Sequence, residues 1–270
     1  MNPIASAILP IIVLGLALPH PGLRADVIAQ DSFEYTDGSA LAGLAGGTGW
    51  DATTHVGWTV NGNIASATIQ GGKLILGNGT DSPLADASTA SSVARHLAAS
   101  YDGDSLFIKY TFSVGPGTTA NPDRFYLVIN GAGAGGGWGF LEIGTGVSSK
   151  FSSRVSGATG DNKIAARVNS SVSDRVTASL PPIVDLTSYT VVVEFSKGAG
   201  GAANQYDTLR LWVNPAKSDY ASATAKTLGY PKILKTINRV SLCLDEVEAG
   251  DVFRVDEVML ATTWADIFSR

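Results

Sequence analysis

The run Val252-Phe253-Arg254-Val255-Asp256-Glu257-Val258-Met259-Leu260, together with Lys235 to Leu244 before it, settles what class of structure this chain forms. In the earlier run Val240, Leu242 and Leu244 alternate with Arg239, Ser241 and Cys243, the period of a strand with one buried face. In the later run Phe253 and Val255 share one parity while Val258 and Leu260 share the other. All four face a single core only if one residue near Asp256-Glu257 is extra, which predicts a β-bulge. The acidic connection Asp245 to Asp251, with Gly250, reads as the turn of a closing antiparallel hairpin. Thr263-Trp264-Ala265-Asp266 has the spacing of a capped helical turn.

Upstream, the same period recurs. Ala65 to Ile69 and Lys73 to Leu76 flank Gly71-Gly72 as a hairpin. Leu106, Ile108, Tyr110, Phe112 and Val114 give five successive inward positions, the mark of a long central strand. Ser92 to Leu97, Arg124 to Asn130, Trp138 to Ile143, Lys150 to Val155 and Lys163 to Val168 are further strand-like runs. Tyr189 to Lys197 alternates cleanly, and in Thr208 to Asn214 the residues Leu209, Leu211 and Val213 face in while Arg210 and Trp212 face out. Asp31-Ser32-Phe33-Glu34-Tyr35 reads as a short strand leading to Gly46-Gly47 and Gly49, which permit positive φ. About fifteen such runs, with no long helical period, predict two packed antiparallel sheets in one sandwich.

A length of 270 residues with 31 glycines and 16% charged side chains fits one large all-β domain, since sandwiches run to roughly 200–250 residues as a unit. The formal net charge of −5 contains no basic run, which argues against nucleic acid because neutralising phosphates takes clustered Lys and Arg. Ile4 to Leu18 is apolar, short for a membrane span, and followed by small residues. It reads as a secretory signal over residues 1–29, cut after Ala25 or Ala29, leaving residues 30–270 as the single domain. The expectation is a secreted monomer, in the periplasm, at the cell surface or outside, with no membrane association after cleavage. Cys243 is the lone cysteine, so no intrachain disulfide forms and the core must carry the stability.

Several blocks together resemble a known group: Asp31-Ser32-Phe33-Glu34-Tyr35 with Gly46-Gly47-Thr48-Gly49-Trp50, then Asp207-Thr208-Leu209-Arg210-Leu211-Trp212-Val213-Asn214-Pro215, then Val255-Asp256-Glu257-Val258 with Thr262-Thr263-Trp264-Ala265-Asp266. They are similar to blocks of secreted bacterial proteins with a concanavalin A-like or laminin G-like jelly roll, a group of mostly uncharacterised function. The resemblance spans nearly the whole mature chain and implies a two-sheet antiparallel jelly-roll sandwich. It does not fix an activity. Members often end in an apolar sorting tail; here Arg270 comes just after Trp264-Ala265-Asp266-Ile267-Phe268, and the expectation is release rather than attachment.

Laminarinase-like hydrolases on this fold carry Glu-x-Asp-x-x-Glu on one strand. The nearest match, Cys243-Leu244-Asp245-Glu246-Val247-Glu248, has a thiol where the nucleophilic carboxylate belongs, so a retaining mechanism lacks its partner. The histidines His20, His55 and His96 sit in no nucleophile motif and offer no zinc-ligand spacing; surface or packing roles are expected for the last two. Calcium is the one ion considered, held by Asp31 and Glu34 from the first strand with Asp256 and Glu257 from the last, all hard oxygen donors. No other cofactor is expected. Polysaccharide is the leading ligand: an outward Trp stacks on sugar C–H faces and polar neighbours bind hydroxyls. Trp212 with Arg210, and Trp138 with Glu142, meet that description. The expectation is an exported, non-catalytic module that binds polysaccharide. A hydrolase or lyase on the same fold and a purely structural matrix protein are its rivals.

Overall fold

The computed structural model describes residues 26–61, 66–77, 91–116, 124–130, 140–146, 163–168, 175–177, 183–197, 206, 208–227, 236–245 and 250–269. Fifteen strands among them, numbered in chain order, form two antiparallel sheets. One sheet runs β13 (Thr224–Thr227), β12 (Thr208–Val213), β11 (Tyr189–Ser196), β6 (Ser105–Val114), β15 (Val252–Ala261), β4 (Lys73–Gly77) and β3 (Ser66–Gln70), and β1 (Val27–Asp31) also pairs with β15. The other runs β10 (Arg175–Thr177), β9 (Lys163–Val168), β8 (Phe140–Gly146), β7 (Arg124–Asn130), β14 (Ile237–Asp245), β5 (Ser91–Tyr101) and β2 (Thr59–Asn61). This is the two-sheet antiparallel sandwich expected from the alternation.

β15 holds the first sheet together. Val255 pairs with Phe112 and Glu257 with Thr111, so Asp256 is the extra residue of a bulge. The bulge flips the parity, and Phe253, Val255, Val258 and Leu260 all enter the core. Before the bulge β15 has β4 on its far side, and after it β1 takes over. The five inward residues of β6 are core as well, and Tyr110 and Phe112 meet Phe125 of the opposite sheet with ring centroids 6.2 and 5.6 Å apart. Gly71 and Gly72, both at positive φ, close the β3–β4 hairpin.

The last two strands do not form a hairpin. β14 pairs with β5 and β7, β15 with β6, β4 and β1, and the acidic connection carries the chain from one sheet to the other. Alternation reports that a strand has a buried face, not which strand lies beside it. Here the two buried faces meet across the core, so Leu242 and Val255 belong to one apolar cluster without sharing a sheet.

The first strand is also displaced from expectation. Pairing ends at Asp31, and Phe33 adopts φ 55°, so Ser32 to Tyr35 is not strand. The following glycines pass directly over β1: Gln30 bridges Thr48, and a Cβ on Gly47 or Gly49 would overlap the carbonyl oxygens of Gln30 and Ile28. Close backbone approach, as much as positive φ, demands glycine at both. β8 is described from Phe140 to Gly146; Trp138, Lys150 to Val155, residues 246–249 and the leader 1–25 lie outside the described residues.

Candidate functional site

The outer face of the eight-stranded sheet is built for packing. Val192, Phe107, Met259, Ala261 and Trp212 face outward and gather under α1 (Trp264–Ile267), whose Ile267 is buried among them. Thr263 caps this turn, its Oγ1 accepting from Asp266 N at 3.3 Å as the spacing predicted. A 3-10 turn at Lys217–Ser222 completes the cover. Trp212 faces away from the core as expected, yet it is only 4% exposed. Its ring lies between Tyr220, stacked at 5.8 Å, and Trp264 at 4.7 Å, and its Nε1 donates to Asp219 O at 3.0 Å. No ring face is left open to a sugar. Arg210 reaches past it, donating to Glu194 Oε2 at 3.0 Å and to the Tyr220 hydroxyl oxygen at 2.6 Å.

The four carboxylates considered for calcium diverge, although β1 and β15 do pair. Asp31 points into the core and is saturated: Oδ2 accepts from Arg95 NH1 at 2.5 Å, Tyr35 OH at 2.6 Å and Trp58 Nε1 at 2.8 Å, and Oδ1 accepts from Phe33 N at 2.9 Å. Burial first, then the Asp31 hydrogen bond, pushes the Tyr35 phenol up to about 12. Glu257 points to the opposite side of the sheet, 2.7 Å from both Lys109 Nζ and Gln30 Nε2. Asp256 pairs with Lys73 at 3.0 Å, and Glu34 is exposed. Among the described residues no three His, Cys, Asp or Glu side chains are grouped for a metal.

The outer face of the seven-stranded sheet has a different character. Alternation in β5 sends Val93, Arg95 and Leu97 inward and His96 outward; alternation in β14 sends Val240, Leu242 and Leu244 inward and Arg239, Ser241 and Cys243 outward. Register sets His96 beside Arg239, Ser241 beside Val128, and Cys243 beside Tyr126. Tyr126, Cys243 and Ala165 pack together as the floor of this face. Glu142 occupies the register position between Val128 and Arg167. The thiol standing in the hydrolase nucleophile's place is thus a packed floor residue.

At the β5 margin a second histidine arrives from the segment after Trp50. His55 stacks on His96 with centroids 4.0 Å apart and planes inclined by 15°. Its Nδ1 lies 3.1 Å from Asp51 Oδ2. Asp51 also accepts from Thr53 N at 2.8 Å, Thr53 Oγ1 at 2.9 Å, and Thr54 N and His55 N at 3.1 Å. These bonds, that from Thr53 N foremost, hold its carboxyl well below the usual range. His96 is pushed down by burial first, then by His55 and Arg239. Among the described residues Arg239 has neither a hydrogen-bond nor an ion-pair partner for its guanidinium. The sequence named both histidines as isolated residues. Only their separation by forty residues hid the stack, since a turn signal at Asp51 and outward parity at His96 were both readable.

No protein-family model and no curated protein matches this sequence. Solved structures do match its fold. An alginate lyase Aly36B variant in complex with alginate tetrasaccharide is similar at TM-score 0.53 and 13% identity, over 87% of this chain and 96% of that one. An endo-acting O-glycanase of the human gut microbiota is similar at TM-score 0.53 and 10% identity, over 88% and 99%. Peanut lectin is similar at TM-score 0.51 and 12% identity, over 88% and 98%. The fold is a lectin-like jelly roll. Identities this low extend the likeness to the fold and no further.

Proposed function

We propose that this chain is an exported, non-catalytic module that binds polysaccharide on the outer face of its seven-stranded sheet. The observation carrying the proposal is the difference between the two outer faces. One is closed by Trp212, Trp264, Tyr220 and Ile267 packed against each other. The other presents His96 and Arg239, with the buried Ser241 and Tyr126 in its floor and His55 stacked at its margin. Sugars need flat rings for their C–H faces and fixed polar groups for their hydroxyls, and on the second face the side chains of His96 and Arg239 have no hydrogen-bond partner among the described residues. That the solved structures of similar fold include a lectin, an alginate lyase with bound alginate and an O-glycanase supports the same ligand class.

A glycan array with wild type, His96→Ala and Arg210→Ala tests it. The expected outcome is signal for wild type and Arg210→Ala, lost in His96→Ala. Loss only in Arg210→Ala would move the site to the other sheet, and no signal from any protein would sink the proposal.

A second reading, cleavage of an acidic polysaccharide by β-elimination, is favoured by one pairing: a histidine pushed down by burial beside an arginine with no partner among the described residues, a base next to a cation able to neutralise a carboxylate. Ultraviolet absorbance from unsaturated uronate ends during incubation with alginate separates this from binding alone.

A further inference from the structure

We propose that His55, His96 and Arg239 form an anion subsite that takes the carboxylate or sulfate ester of an acidic polysaccharide. The inference rests on the binding reading above and narrows its ligand. Three groups that carry or acquire positive charge meet at one corner of the sheet face: Arg239 and His96 as cross-strand neighbours, His55 stacked on His96 at 4.0 Å. Neighbouring like charges disfavour one another unless a counter-ion sits between them. The one carboxylate within the group does not play that part for Arg239. Asp51 is committed to its own turn, accepting from Thr53, Thr54 and His55, and its side chain holds His55 rather than the guanidinium. Among the described residues the neighbouring strands set no acid beside His96: β2 contributes Thr59, Val60 and Asn61, β7 contributes Val128 and Asn130, and Glu142 of β8 holds a register position three strands from β5.

What is missing is an acceptor. Arg239 presents a planar fork of donors with no acceptor among the described residues, the geometry that pairs with a carboxylate or sulfate through two hydrogen bonds. A neutral sugar would leave that charge uncompensated. With His55 Nδ1 directed to Asp51, its other ring nitrogen is left for the ligand, and neither ring nitrogen of His96 has a partner among the described residues. The formal net charge of the whole chain is −5, so a polyanion is not drawn by the protein's overall field. Attraction must be local, and removing one cation should weaken it sharply.

The corner also sets a pH dependence. His96 protonates only below the usual histidine range, because burial, His55 and Arg239 oppose its charge and Asp51 alone favours it. A bound anion favours the protonated ring, so binding takes up protons. Affinity therefore rises as pH falls through and below the histidine range.

The test is isothermal titration of the full secreted chain against oligogalacturonate, dextran sulfate and unmodified dextran, at pH 7.5 and pH 5. The expected result is binding of at least one acidic polymer and not of dextran, tightening on the order of tenfold at the lower pH. Arg239→Gln should weaken it by about 10- to 100-fold, and Arg239→Lys, which keeps charge but loses the fork, should fall between. Preference for oligogalacturonate assigns a carboxylate and preference for dextran sulfate assigns a sulfate ester. Urea midpoints of both variants matching wild type show that folding is intact, and His96→Asn serves if they do not. Equal binding of dextran, or acidic binding indifferent to Arg239 and to pH, overturns this subsite while leaving the polysaccharide proposal standing. Failure of every polymer overturns both.

Discussion

Asp31 and Arg95 are each 2% exposed, and their ion pair joins β1 in one sheet to β5 in the other. Trp50 and Trp58 cover the guanidinium at 5.0 and 5.8 Å. The two partners are not equivalent. Asp31 accepts from Phe33, Tyr35, Trp58 and Arg95, whereas among the described residues Arg95 donates to Asp31 and, at 3.4 Å, to Tyr35, and its Nε has no partner. Asp31→Leu strands a buried cation and orphans the Trp58 and Phe33 donors, so it should cost about 3–5 kcal/mol. Arg95→Met leaves the carboxylate three donors and should cost less. Urea unfolding orders them; a larger loss for Arg95→Met would mean that the guanidinium, not the carboxylate, organises the junction. Asp31 was read from the sequence as a calcium ligand because an acid near a strand end has the right oxygens. The signal against that was Arg95, a charged residue at an inward position of an otherwise apolar alternation, waiting for a buried partner.

Strand β1 makes a prediction about processing. Val27 to Asp31 pair with Ala261 to Val258, Ala29 is fully buried, and Asp26 O accepts from Thr262 N at 3.2 Å. Cleavage after Ala29 would remove the first half of this strand and uncover the edge of β15 beyond its bulge. Cleavage after Ala25 keeps it whole. Intact-mass measurement of the exported protein should therefore give Asp26 as the first residue, and a start at Gln30 would show that the pairing of Val27 to Ala29 is dispensable. Much about the elements was legible. The bulge at Asp256 followed from four apolar residues on two parities, the Gly71-Gly72 hairpin from its turn residues, and the helical turn from the Thr263 cap. Which strands are neighbours was not, because side-chain parity records a face and nothing about the hydrogen bonds at right angles to it. That is why β14 and β15 were placed together and belong to opposite sheets. The same limit hid the His55–His96 corner, which exists only because β2 and the segment before it fold along the β5 margin.

Two sheets share one core but turn outward on different terms, and the proposed function assigns stability to one outer face and recognition to the other. The eight-stranded sheet has buried its outer apolar side chains under α1 and the 3-10 turn, with Ile267 fully enclosed and Lys109 Nζ donating to Ile267 O at 3.2 Å. The seven-stranded sheet carries Arg239, half-buried and without a hydrogen-bond or ion-pair partner among the described residues, on the face proposed for polysaccharide. Substitutions on the two faces should therefore fail in opposite ways. Ile267→Ala removes a buried side chain beneath a short turn and should lower stability by about 2–5 kcal/mol, read as an earlier urea midpoint, while polysaccharide retention below that midpoint is unchanged. Arg239→Gln, at a half-buried position with no hydrogen-bond partner among the described residues, should shift stability by no more than about 0.5 kcal/mol and lose retention. If both substitutions weaken retention in proportion to their loss of stability, the faces are coupled through the core and the seven-stranded sheet is not a separate binding surface. If Ile267→Ala alone abolishes retention in the folded protein, the aromatic cover of Trp212 and Trp264 is the ligand's platform after all.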